Sequence, residues 1–72
     1  MIRRYTIIIE KGPKSYGAFV PDLPGCVAVA KTRPAVMRLI RDAIELHVED
    51  LRSRGERVPR SQSVADHVEV AV

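Results

Sequence analysis

Two histidines, one cysteine and nine carboxylates are the side chains here that could act as nucleophile, general base or metal ligand. Such chemistry needs these groups to converge, and their spacing works against convergence. Cys26 stands between Gly25 and Val27 with no base beside it, and it reads as a small packing residue. His47 falls in a helical stretch whose positions one turn away are Ala43 and Leu51, so no His-x3-His pair forms, and there is no Cys-x2-Cys. We read it as a buried, hydrogen-bonded neutral histidine, and His67 as solvent-facing. No glycine-rich loop precedes a helix at phosphate-cradling spacing. A two-metal nuclease needs several carboxylates on one face. The centre of the first apolar stretch holds Ile7, Ile8 and Ile9 instead. Glu10 lies at its end, Asp22 in a proline loop, and Asp42 and Glu45 on the polar side of the helix. The sequence therefore reads as non-catalytic, with no metal and no cofactor.

The elements that position these groups are few. Tyr5 to Glu10 is aromatic and β-branched, which suits a strand. Lys11-Gly12-Pro13-Lys14-Ser15 is turn chemistry, and Tyr16 to Val20 makes a second strand, giving a hairpin. Gly17 inside it marks a bulge or a close backbone approach. Pro21-Asp22-Leu23-Pro24-Gly25-Cys26 breaks the sheet, because the prolines lack N–H donors and fix φ. Val27 to Lys31 is a third strand. Thr32 is an N-cap candidate, Pro34 sits where its missing N–H costs little, and Gly55 suits the left-handed residue that ends the helix. The helix then spans about 22 residues, or roughly 33 Å. After a loop through Val58 to Ser63, residues Val64 to Val72 alternate, with Val68, Val70 and Val72 on one face. This predicts a fourth strand. The fold class is α+β, in the order β-β-β-α-β, a mostly antiparallel sheet with one helix packed on one face.

At 72 residues the chain is read as one domain, residues 1–72. A domain this small buries only about 60% of its unfolded surface, so a second subunit would add stability, and a homo-oligomer, dimer or tetramer, is expected. Twelve Lys and Arg against nine Asp and Glu give a net charge of +3. These cations are scattered rather than gathered into a stripe, which argues against direct nucleic-acid binding. The single cysteine excludes an intrachain disulfide. The N-terminus lacks the apolar stretch of a signal peptide, and no run reaches the ~18 apolar residues of a membrane span. The chain reads as cytoplasmic.

On a helical wheel Val36, Leu39, Ile40, Ala43, Ile44 and Leu51 form one stripe, widened by Met37 and Val48 on one side and Leu46 on the other. The apolar arc is about 200°, against the ~100° a helix on one sheet requires. Met37 and Val48 are either the edge of a wide core stripe or part of a second packing surface, an oligomer contact.

The run Tyr16 to Cys26, an aromatic strand followed by Pro21-Asp22-Leu23-Pro24-Gly25-Cys26, resembles the HicB-like antitoxin family. Thr32, the helical Asp42-Ala43-Ile44 and the later Gly55-Glu56-Arg57-Val58-Pro59 are similar to that family at its spacing. The resemblance covers roughly residues 5 to 60. It implies a partial RNase H-like fold without the nuclease carboxylates. It also implies a binding partner, a HicA-like mRNA-cleaving toxin whose active site the protein masks, together with self-association. Two features depart from the family. Many of its members carry a C-terminal DNA-binding domain, and none is expected in residues 1–72. The family also has acids after the threonine, where this chain has Arg33-Pro34-Ala35. Pro21, Asp22, Leu23, Pro24 and Gly25 are read either as a rigid connector between strands or as a toxin contact, since ordered loops on rigid scaffolds carry binding.

Three functions compete on this reading: an antitoxin that occludes a toxin, a solitary homo-oligomeric binding or regulatory module without a toxin, and a small nucleic-acid binder. Scattered charge disfavours the third.

Overall fold

The computed structural model describes residues 2–72. Strands β1 (Ile8–Lys11), β2 (Tyr16–Phe19) and β3 (Val27–Ala30) form an antiparallel sheet in the order β1-β2-β3, followed by helix α1 (Arg33–Ser53). The α+β class expected from the sequence is the one observed.

The strands are shorter than their apolar runs. The register pairs Ile8 with Phe19, so Ile7 would next face Val20. The Val20 N–H instead donates to the Cys26 carbonyl at 3.2 Å, and Pro21 has no N–H to offer. Residues 5–7 therefore lead into β1 without joining it. Gly17 pairs regularly with Glu10 and Val29, so the bulge that a strand glycine suggested is not formed. A Cβ placed there would have no atom within 4 Å.

The helix obeys its punctuation. The Thr32 hydroxyl accepts the Ala35 N–H at 3.2 Å, an N-cap that contributes about 1 kcal/mol. At the other end Gly55 takes φ +71. Its N–H donates to the Arg52 carbonyl, and that of Glu56 to the Leu51 carbonyl, the paired bonds of a Schellman cap. Arg54 bridges Asp50 and Glu56, but these ions are exposed and such pairs contribute little.

Alternation along the strands sorts the sheet's two faces. Ile9, Ala18 and Ala28 line up across the sheet on the helix side, with Tyr16 opposite Ala30. The small side chains let α1 settle on β2 and β3, and it does not reach over β1. The buried residues are Ala18, Val20, Leu23, Cys26, Val36 and Ile40. Three of these six lie in the loop between β2 and β3 or at its ends.

The fourth strand expected at Val64–Val72 is not formed. Beyond the helix the chain has no regular structure, and residues 64–72 are all exposed. Alternation gives a segment the side chains of a strand but not a partner backbone, and among the described residues no neighbour pairs with it. His47 is half-buried rather than buried, and no hydrogen bond to its ring occurs among the described residues.

Leu23 has no exposed surface. Leu23→Ala is expected to lower the unfolding free energy by about 2–5 kcal/mol, a large share of a small domain's total, whereas Leu23→Met should cost less than about 1.5 kcal/mol. Urea denaturation of both variants checks this, and equal midpoints would contradict it.

Candidate partner-binding surface

The loop from Pro21 to Cys26 is a pair of tight turns. The Leu23 N–H donates to the Val20 carbonyl at 3.1 Å, and the Cys26 N–H to the Leu23 carbonyl at 3.0 Å. Gly25 takes φ +83, where a side chain would be strained. The turns drive Leu23 and Cys26 inward. Burial raises the Cys26 thiol pKa above its ordinary value, which keeps it protonated and unreactive. Pro21, Pro24 and Gly25 remain on the surface. The segment is thus a connector with a core-filling residue and also a rigid exposed ridge.

Asp22 points the other way, toward the chain that follows the helix. Its Oδ2 accepts the N–H groups of Gln62 and Ser63, each at 3.0 Å, and more weakly the Ser61 hydroxyl at 3.4 Å. Oδ1 accepts the Ser63 hydroxyl at 2.9 Å. The same stretch is held from its other side: Arg3 donates to the Val58 carbonyl, the Tyr5 hydroxyl to that of Pro59, and Thr6 to that of Ser63. Residues 58–63 form a strap joining the N-terminal lead-in to the motif loop. Sequence reasoning missed this latch. Its only signal is a run of serines forty residues from an aspartate.

Beside the strap lies a groove of about 440 Å³, with Tyr5 and Ile7 on one side and Met37, Arg38, Arg41 and Ile44 of α1 on the other. It exists because α1 stops short of β1. Met37 is exposed in this groove, while Val48 is half-buried against the core. The two residues grouped on the wheel are therefore separated: one is surface, the other the margin of the core. Leu39 and Leu46 are also exposed, at 47% and 68%. The sheet face away from the helix carries Phe19, Val27 and Val29, the two valines about two-thirds exposed. Apolar surface is thus open on both layers. Among the described residues no cluster of histidine, cysteine and carboxylates could hold a metal, and no helix is long and apolar enough to cross a membrane.

The hydrogen bonds from Ser63 and Gln62 lower the Asp22 pKa, the Ser63 N–H most of all and against a smaller opposing effect of desolvation. A depressed carboxylate pKa gives docking that is fully present above the unfolded value, about 3.9, and lost as pH falls through the folded one. The Gln62 and Ser63 amide resonances should hold their bonded positions at neutral pH and move together on acidification below about pH 4. In Asp22→Ala, which keeps no acceptor, they should sit at the released positions at every pH, with the Leu23 methyls unmoved. Amide shifts that ignore both changes would sink the latch.

The sequence matches, over residues 5–71, the family described as HicB-like antitoxin of bacterial toxin–antitoxin systems. A UPF0150 protein of Thermoplasma acidophilum is 36% identical over 61 residues, covering 83% of this chain and 88% of that protein. A UPF0150 protein of Helicobacter pylori is 46% identical over 46 residues, or 64% of each chain. An uncharacterized 14.9 kDa protein from the rep-hol intergenic region of Haemophilus phage HP1 is 33% identical over 64 residues. This chain spans about half the length of that phage protein, 48%. The match embraces the strands, the motif loop, the helix and the strap, and the chain belongs to the HicB-like antitoxin family of bacterial toxin–antitoxin systems.

Proposed function

We propose that the protein is an antitoxin that neutralises a HicA-like, mRNA-cleaving toxin by covering its active site, and that it acts in the cytoplasm without catalytic activity of its own. The observation that carries this reading is the family match over residues 5–71, on a chain that leaves Phe19, Val27 and Val29 uncovered beside a rigid loop. Pro21, Pro24 and Gly25 form the contact ridge; Leu23 and Asp22 hold it in shape. Proline costs little entropy to fix, which suits a ridge that must meet its partner preformed.

The test is to purify the small ribonuclease that co-elutes with the tagged chain from its own cells. Its cleavage of an mRNA should be complete alone and abolished by an equimolar amount of this chain. A co-eluting ribonuclease that stays active in the complex, or no ribonuclease at all, would remove the reading.

A second reading is a homo-oligomeric binding or regulatory module that has no toxin. The exposed Met37, Leu39 and Leu46 on α1 favour it. In that case Met37→Lys together with Val48→Lys should lower the oligomeric mass in light scattering. Val48→Lys is also expected to reduce stability, because Val48 touches the core, so Met37→Lys is measured separately. A mass unchanged by Met37→Lys would take that side of the helix out of any self-contact.

A further inference from the structure

Along the chain the cations are scattered, but the fold brings five arginines onto two adjoining cavities. Arg38 and Arg41 of α1, with Arg3 of the N-terminal lead-in, line the groove beside the strap. Arg57 and Arg60, after the helix, line a second cavity of about 460 Å³, and Arg3 stands on its wall too. The Arg3 guanidinium donates to the Val58 carbonyl at 3.0 Å, which holds it on the shared wall and leaves most of its five N–H donors unused. All five arginines are exposed. Among the described residues the ion pairs are those of Arg54 with Asp50 and Glu56, so none of the five meets a carboxylate. The acids on the two walls are Glu45 and Asp22, and the Asp22 carboxylate is turned to Gln62 and Ser63. Like charges gathered in this way repel one another, and an anionic ligand relieves that repulsion.

The floor of the first groove is of another kind. Tyr5, Ile7, Met37 and Ile44 make an apolar bed under the cationic rim. At about 440 Å³ it has the size of a small-ligand cleft, with room for a flat base but not for a duplex. We propose that this arginine track binds single-stranded nucleic acid, with unpaired bases on the apolar floor and successive phosphates on the arginines. A planar guanidinium donates two parallel hydrogen bonds to a phosphate, which suits arginine to this rim better than lysine. Tyr5 offers a ring for stacking, and stacking beside a cationic groove holds a single strand whatever its sequence. An acidic peptide shares the anions but not the flat faces, and competition tells the two apart. Binding here requires no toxin and is measured on this chain alone.

The experiment is fluorescence anisotropy of a labelled oligouridylate of about twelve nucleotides, titrated with the full chain at about 50 and 200 mM salt. Affinity should fall roughly a hundredfold over that range, as expected for about five phosphate contacts on a single strand. Arg38→Ala with Arg41→Ala should weaken binding about tenfold and reduce the log–log salt slope by about 1.4. Lys11→Ala with Lys14→Ala removes the same charge from the turn between β1 and β2, outside the track, and should change affinity less than about threefold. The four substituted residues are exposed, and circular dichroism verifies that both variants keep their fold. In the saturated complex the methyl resonances of Met37 and Ile44 should shift, because bases lie over them. No binding at the lower salt would overturn the proposal. So would an equal loss in both double variants, which means charge without a site, or methyls that stay where they were. Polyglutamate of matched charge that competes as well as unlabelled oligouridylate would also overturn it, in favour of an acidic protein segment.

Discussion

A side chain delivered by a loop, Leu23, completes a core to which β2 and α1 contribute Ala18, Val36 and Ile40. Where α1 sits, the inner sheet face presents Ala18, Ala28 and Ala30, which bring the helix close but supply little apolar volume. The missing volume comes from Val20, Leu23 and Cys26, on the turns between β2 and β3. A motif that breaks the sheet is thus also the main source of what the sheet and helix pack around. Interiors are close-packed, so the path of this loop and the seating of the helix are mutually determined. The prolines and Gly25 fix that path without adding a flexible residue.

The same turns set the electrostatics of the surface. Neighbouring residues point in opposite directions, Leu23 into the core and Asp22 onto the strap. The Asp22 carboxylate answers two backbone donors and two hydroxyls, so the chain after the helix is positioned by charge-assisted bonds instead of apolar burial. The exposed ridge of Pro21, Pro24 and Gly25 is therefore supported from below by packing and from one side by hydrogen bonds. For a surface that meets a partner, that support lowers the cost of ordering on binding.

What the sequence discloses follows from the range of each interaction. The helix is written locally: the Thr32 cap, Pro34 and Gly55 lie where the structure uses them, because capping joins residues three to five apart. The three strands are visible as apolar runs, but their ends are not. Those ends depend on the register of Ile8 with Phe19 and on where Val20 sends its N–H. The strand expected at Val64–Val72 has the right alternation and no partner among the described residues, a difference no local pattern records. The Asp22 latch is invisible for the same reason, since its donors lie some forty residues away. Met37 and Val48 share one side of the wheel, yet α1 leaning on β2 and β3 half-buries Val48 and exposes Met37.

Residues 58–63 supply none of the six buried side chains. The strap is attached by hydrogen bonds near the surface, with Val58 and Pro59 no more than half-buried. It therefore forms an outer tier, able to detach as a unit while β-sheet, loop and helix keep their packing. Proteins open first where apolar contacts are fewest. Here that place is the last fifth of the chain, residues 58–72: a peptide leash whose release bares the Asp22 carboxylate and the lead-in to β1 while the core stays closed.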